Sequence, residues 1–234
     1  MLSCIIPARN EEGHLREVIK QVKQIAEITQ VVIVEGGSTD NTFKEAQTLS
    51  KENENLILVL QQKGKGKFNA VRFGASFSTQ PLIIIWDADG TVPLKSVRNI
   101  IDQALSSGGP VIGNRLNRDM EKEAMLWANY FGNWFFAILW APIMQGKIVD
   151  LLCGTKIFAK EVYDAIPERI AKHDPYGDFT LLLSARLIGQ QIISVPVKYL
   201  KRQYGESNIK RWSGGLQLLY TTLWVYLTFY KRKK

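Results

Sequence analysis

LIIIWDADG, residues 82–90, is a very apolar strand that runs directly into two acids. Asp87 and Asp89 are two positions apart, and in extended backbone such residues point the same way, so both carboxylates can face one ligand. A hard divalent cation with oxygen ligands, bridging two phosphates, is the natural occupant of such a pair. The competing reading is a solvated turn, because loops also use aspartate to cap and bend the chain.

Outward from this strand the chain alternates short β-branched runs with helical segments, the signature of a parallel sheet built from βα units. The expected strands are 2–7, 30–35, 56–61, 82–86 and 110–113, with helices over 13–27, 41–50, 67–78 and 93–106, the last opening on proline in its first turn. Right-handed crossovers place the C-terminal strand ends, and any ligand site, along one edge. The expected fold class is therefore α/β, a mostly parallel Rossmann-like sheet flanked by helices.

Beyond residue 113 the rhythm changes. Residues 124–146 carry no charge and are rich in Trp, Phe and Leu, interrupted by Asn129, Gly132, Asn133 and Pro142. That pattern fits a helix buried on one side better than a membrane span, and leaves open a plain core helix or one with an apolar face for lipid. A strand over 153–159, a helix over 178–188 and a strand over 191–197 complete the domain. Residues 214–230 again lack charge, and Lys231, Arg232, Lys233 and Lys234 close the sequence. With Tyr220, Trp224, Tyr226 and Tyr230 of the type that settles at headgroup depth, an interfacial helix with a basic terminus is expected, against packing on the domain or on a second subunit. The division is a catalytic domain over 1–210 and an interfacial helix over 211–234.

Thirty Lys and Arg against twenty-two Asp and Glu give a net charge of +8, which favours phosphate-bearing partners. A nucleic-acid module is disfavoured, because the aromatics lie in an apolar tail rather than among the basic residues. Cys4 and Cys153 are far apart and lack metal or disulfide spacing, so both read as small core residues. The N-terminus enters a strand without a basic leader, which predicts a cytoplasmic location.

Three more clusters fall at strand ends. In EGGSTDNT, 35–42, Glu35 can bind hydroxyls or ring nitrogens of a nucleotide, Gly36 and Gly37 permit close backbone approach, and Ser38, Thr39 or Asp40 can cap the next helix. In PARNEE, 7–12, Asn10 and Glu11 can hold a base or ribose, or simply begin a helix. GKGK, 64–67, lacks the spacing and the following Ser or Thr of a P-loop, which excludes an ATPase on that motif.

Together these clusters resemble the family 2 glycosyltransferases of GT-A fold, in particular the dolichyl-phosphate or polyprenyl-phosphate mannose and glucose synthases. IIPARNEE resembles the family's nucleotide-binding opening, and VVIVEGGSTDNT its VVDDGSTDxT, with Glu35 and Gly36 in place of the two acids. GKFNAVRFG is similar to GKGxAxxxG, with Phe68 where glycine is usual, and WDADG matches the metal-binding Asp-x-Asp. Gly113-Asn114-Arg115 resembles the GSR or GTR motif, VDLLCGTKIF resembles SDxxxGFRxF with Asp150 on its acid, and VPVKYLKRQYGESNIK resembles VPIxFxxRxxGESKL. DPYGDFTLL places Asp178 where many members carry a catalytic base, although a helix N-terminus also favours an acid there. The helix from Ala124 departs from the pattern, lacking the Arg and Ser with which those synthases hold lipid phosphate.

The resemblance implies an inverting transferase that moves a sugar from a UDP- or GDP-sugar to a polyprenyl or dolichyl phosphate, with Mg²⁺ or Mn²⁺ on Asp87 and Asp89. It assigns the donor to Pro7, Ala8, Asn10, Glu11, Glu35, Gly37, Ser38, Lys67, Asp87 and Ala88, and the acceptor phosphate to Arg115, Arg202, Ser207 and Lys210. Asp89, Arg202 and Asp178 carry the catalytic roles. Arg202 or Lys210 would assist the metal in stabilising the leaving diphosphate. An ionised phosphate acceptor needs no strong base, whereas a sugar hydroxyl would need Asp178. A carbohydrate- or lipid-binding pseudoenzyme is the non-enzymatic alternative. Peripheral attachment to an anionic membrane at its cytoplasmic face, in cell-envelope glycan synthesis, is expected, without nucleic acid and with homo-oligomerisation left open.

Overall fold

The computed structural model of the chain describes residues 1–117, 119–145, 148–202 and 211–230. The elements of the first half are β1 (Leu2–Ala8), α1 (Leu15–Val22), β2 (Ile28–Glu35), α2 (Thr42–Glu52), β3 (Ile57–Gln61), α3 (Lys67–Ser76), β4 (Leu82–Ile85), α4 (Leu94–Ser107) and β5 (Val111–Asn114). They are followed by α5 (Trp127–Met144), β6 (Lys156–Ala159), α6 (Lys160–Asp164), α7 (Glu168–Ala171), α8 (Asp178–Leu187), β7 (Ile193–Pro196), α9 (Arg211–Val225) and a π-helical turn over Tyr226–Tyr230.

The strands form one sheet in the order β3-β2-β1-β4-β6-β5-β7. Alternation along β1 sends Leu2, Cys4, Ile6 and Ala8 into the core beneath α1 and α4, while Ile5 meets α3 on the opposite face. The register pairs Ala8 with Glu35, Glu35 with Gln61, and Ile5 with Ile85, so these parallel strands end at a common edge. Both cysteines are free and buried, as their isolation implies.

β6 is the exception to the parallel order: it runs antiparallel between β4 and β5, pairing Lys156 with both Ile85 and Ile112. An antiparallel strand starts where its parallel neighbours finish. The loop before it, 150–155, is thereby delivered to the same edge as Asp87. The strand is shorter than the expected 153–159: it begins at Lys156, after a loop in which Asp150 binds the amides of Arg115 and Leu152. The helix expected over 13–27 likewise stops at Val22, where i to i+3 bonds from Gln24 and Ile25 tighten the chain into a turn.

α5 and α9 are two-faced. On α5, Trp140 is fully buried, with Phe136 and Met144 beside it, whereas Trp127 is 77% exposed and Phe131, Trp134, Phe135 and Ile138 continue its stripe at helical spacing. α9 buries Leu218, Thr221, Thr222 and Val225 and exposes Leu216, Tyr220 and Leu223, a stripe that Leu227 of the π-helical turn continues. The buried faces meet where Trp140 Nε1 donates to Thr222 Oγ1 at 3.0 Å. The C-terminal helix therefore packs on the domain while keeping an apolar outer face. Among the described residues no helix is long and apolar enough to cross a membrane.

A charge on the inner face of α9 should be costly and one on the outer face should not. Val225→Asp is expected to lower the thermal midpoint by about 5–10 °C, and Leu223→Asp by less than about 2 °C, as scanning calorimetry can measure. Equal losses would mean that α9 does not pack as described.

Candidate active site

Asp87 and Asp89 leave the end of β4 at the common edge, but their surroundings differ. Asp89 Oδ1 accepts the Thr91 amide at 3.1 Å and the Thr91 hydroxyl at 2.9 Å, a local turn closed by an aspartate. Asp89 Oδ2 lies 3.7 Å from Arg202 Nη1. A turn explains half of Asp89 and nothing of Asp87. Asp87 Oδ1 is 2.5 Å from Lys67 Nζ, and a Cβ on Gly154 would fall 1.6 Å from Asp87 Oδ2, so only glycine fits beneath this carboxylate. Burial pushes the Asp87 carboxyl up, but Lys67, Lys156 and Arg115 outweigh it and hold the group below its usual range. Burial pulls the Lys67 ammonium down, and the charges of Asp87 and Asp178 more than reverse this.

Lys67 occupies the first turn of α3, where the helix dipole disfavours a cation by about 0.3–1 kcal/mol. Local helix energetics do not account for it there; Asp87 does. Asp87 and Asp89 suit a hard cation as an all-oxygen pair, and no group of three His, Cys, Asp or Glu that could hold a metal occurs among the described residues. A cation on this pair would take its remaining ligands from water and from the phosphates of a nucleotide.

The loops that follow β1 and β2 are pinned to each other. The Asn10 amide donates to Ser38 Oγ at 3.0 Å, Asn10 Oδ1 accepts the Thr39 amide at 2.9 Å, and the Glu11 amide donates to Thr42 Oγ1 at 2.8 Å. The Gly36 amide donates to Ala8 O, and Gly37 has φ +74, a conformation that side chains resist. Buried Glu35 accepts the Ser38 amide, so one of its oxygens serves its own turn. Glu11 links the loops to the far side: its Oε2 lies 2.6 Å from Arg202 Nη2 and 3.3 Å from His14 Nδ1. Burial raises the Glu11 carboxyl to about 7, against the opposing pull of Arg202.

Opposite these loops stand two buried ion pairs. Arg115 meets Asp150 through Nε at 2.8 Å and Nη2 at 2.9 Å, and Asn133 of α5 donates to Asp150 Oδ1 at 2.8 Å. Much of the Arg115 fork, expected at an acceptor phosphate, is thus engaged by Asp150. The second pair is Lys156 with Asp178, the lysine almost completely buried on β6 and the aspartate on the first turn of α8. Sequence reasoning overlooked Lys156. Its signal was available, since Lys156 takes the arginine position of the SDxxxGFRxF pattern. Asp174 was missed as well; it accepts the amides of Gly177 and Thr180 and the Thr180 hydroxyl, each at 2.9 Å, and so fixes the start of α8. Ser207 and Lys210 lie outside the described residues.

Residues 3–166 match the model described as Glycosyl transferase family 2. The chain belongs to this family. It is 26% identical over 217 residues to dolichyl-phosphate beta-glucosyltransferase ALG5A of Trichomonas vaginalis, a match covering 85% of this chain and 65% of that protein. The chain thus spans just under two-thirds of that relative's length. Glucosyl-3-phosphoglycerate synthase of Mycobacterium tuberculosis, solved with Mn²⁺, UDP and phosphoglyceric acid, superposes with a TM-score of 0.71 at 18% identity, over 95% of this chain and 77% of that one. Mannosyl-3-phosphoglycerate synthase of Rubrobacter xylanophilus gives 0.70 at 16% identity, over 99% of this chain and 75% of that one. At these identities the likeness shows the fold, an α/β GT-A-like sheet.

Within this glycosyltransferase fold the contact between Gly154 and Asp87 is open to a direct test. Should Asp87 and Asp89 hold a cation with a nucleoside diphosphate, Gly154→Ala would displace the carboxylate and weaken Mn²⁺-dependent UDP binding about 10- to 100-fold, the usual range for disturbing the surroundings of a metal ligand. Gly132→Ala, whose added carbon would meet nothing within 4 Å, serves as the control. Isothermal titration that finds both variants equal to the parent would contradict this account of the Asp87 site.

Proposed function

We propose that the chain is an inverting glycosyltransferase that moves a sugar from a UDP-sugar, bound with Mg²⁺ or Mn²⁺ at Asp87 and Asp89, to a polyprenyl phosphate at a membrane surface. The observation that carries the acceptor assignment is the Lys156–Asp178 pair. Lys156 Nζ donates to Asp178 Oδ1, so one oxygen of the aspartate in the base position is already engaged by a buried ammonium rather than open to an acceptor hydroxyl. A phosphate acceptor arrives already ionised and needs no base.

In the proposed reaction the acceptor oxygen attacks the anomeric carbon from the face opposite the diphosphate, and the bond from that carbon to the β-phosphate oxygen breaks. Its electron pair stays on the diphosphate. A divalent cation on the aspartate pair would supply charge to the departing group. Lys67 beside Asp87 and Arg202 beside Asp89 stand ready to stabilise the same charge where it develops. In this reading the nucleoside is held by Pro7, Ala8, Asn10, Glu11, Glu35, Gly37, Ser38 and Ala88.

The exposed stripes of α5 and α9 support a membrane-borne acceptor. Five large apolar side chains from Trp127 to Ile138 and four from Leu216 to Leu227 supply apolar burial of the interfacial type, and the basic run over 231–234 follows directly in sequence. The name of the Trichomonas relative, a dolichyl-phosphate glucosyltransferase, agrees with this choice. The Mycobacterium structure was solved with phosphoglyceric acid and favours the second reading, a hydroxyl acceptor with Asp178 as base. A binding protein without activity is disfavoured by the intact aspartate pair and its cations.

The discriminating experiment is the double variant Asp178→Asn/Lys156→Met, which removes both buried charges together. With UDP-glucose as the first donor and polyprenyl phosphate in mixed vesicles, the rate is expected to fall less than about tenfold. Loss of a general base would instead cost about 10²–10⁴-fold. A loss of that size, or turnover only with hydroxyl acceptors, would replace the proposed acceptor by the second reading.

A further inference from the structure

The first turn of α3 is capped by a distant loop. Gly66, at the cap position, has φ +92 and no side chain to accept a helix amide. The Phe68 amide donates instead to Pro175 O at 3.0 Å. The Phe68 ring is buried in the core shared with α5 and α8, and it lies against Gly177, where an added Cβ would fall 2.0 Å from Phe68 Cδ2. Gly177 itself has φ +80, so its missing side chain satisfies both the backbone and the ring.

The seat under this ring is well braced. Asp174 holds the amides of Gly177 and Thr180, and the His173 ring stacks on Trp224 of α9 with centroids 4.8 Å apart. Thr221 Oγ1 of α9 donates to His173 O at 2.6 Å. What rests on the seat is the turn that carries Lys67, whose ammonium reaches Asp87 at 2.5 Å.

We propose that Phe68 is a positioning residue: seated on Gly177, it fixes the first turn of α3 so that the Lys67 ammonium stays beside Asp87, on the side of the leaving diphosphate. This rests on the reading of that edge as the donor-diphosphate site. A lysine side chain has many rotamers, and a charge that must meet a developing charge gains from a backbone that cannot shift. Glycine at position 68 would leave the turn without its side-chain anchor, whereas phenylalanine ties it to the 173–178 loop. The effect of Phe68 therefore passes through Lys67.

The test is a double-mutant cycle on kcat and on Mn²⁺-dependent UDP affinity, at a temperature where circular dichroism shows every variant folded. Phe68→Ala is expected to lower kcat about 10- to 100-fold, the cost of displacing a catalytic group by about an ångström, and Phe68→Leu to recover most of it. In a Lys67→Met background Phe68→Ala should cost less than about twofold, because the group it positions is already gone. Equal factors in both backgrounds would show a structural role alone and overturn the proposal. If Phe68→Ala does not fold, Gly177→Ala, which displaces the ring from below, is run through the same cycle with the same two outcomes. A parent protein that binds UDP while the losses are additive overturns the clamp and leaves the donor site standing. A parent that does not bind UDP overturns the donor reading itself, and the clamp with it.

Discussion

Four charges meet where β4 ends: Asp87 against Lys67, and Asp178 against Lys156. Each carboxylate has its own lysine, and the influence of each lysine reaches the other pair. Lys156 and Asp178 are buried, so leaving either without its partner costs several kcal/mol, and the half-buried Lys67 and Asp87 are tied to them through their charges. α3 must present its first turn to β4, β6 must enter antiparallel to bring Lys156 to Ile85, and α8 must begin beside it. Gly154 is bare because Asp87 Oδ2 takes the space its side chain would need.

The same arrangement shows how far the sequence could be read. Asp87 and Asp89 were legible because their geometry is local, a strand followed by acids at a spacing of two. The glycine turn after β2 was legible for the same reason, and the cross-loop bonds of Asn10 and Ser38 agree with its placement at a strand end. Lys156 stood in a legible motif, but its pairing with Asp178 depends on a strand inserted between β4 and β5, which no run of neighbouring residues encodes. The seat of Phe68 on Gly177 joins residues more than one hundred positions apart. In the sequence, Phe68 showed only as a departure from glycine.

Residues 124–146 and 214–230 were ambiguous for a different reason. Both helices are apolar on two faces, so composition cannot separate packing from surface contact. In the structure each does both: Trp140, Thr222 and Val225 build the inner contact, while Trp127 and Leu223 face outward. On the proposed reading the outer face meets lipid, and the inner one carries α9 onto His173 and so supports the loop that begins α8. Lipid contact and donor chemistry would then share one scaffold.

If Asp87 and Asp89 form a metal-dependent nucleotide site, UDP should stabilise the fold only when the metal is present, and thermal shift measures this. A ligand that binds only the native state raises its melting temperature. UDP is predicted to raise the midpoint of the parent protein in Mn²⁺ and not in EDTA, and Asp89→Ala to abolish the rise while lowering the unliganded midpoint by only the few degrees that its turn with Thr91 contributes. A UDP-induced rise that persists in EDTA and in Asp89→Ala would contradict the metal-dependent site.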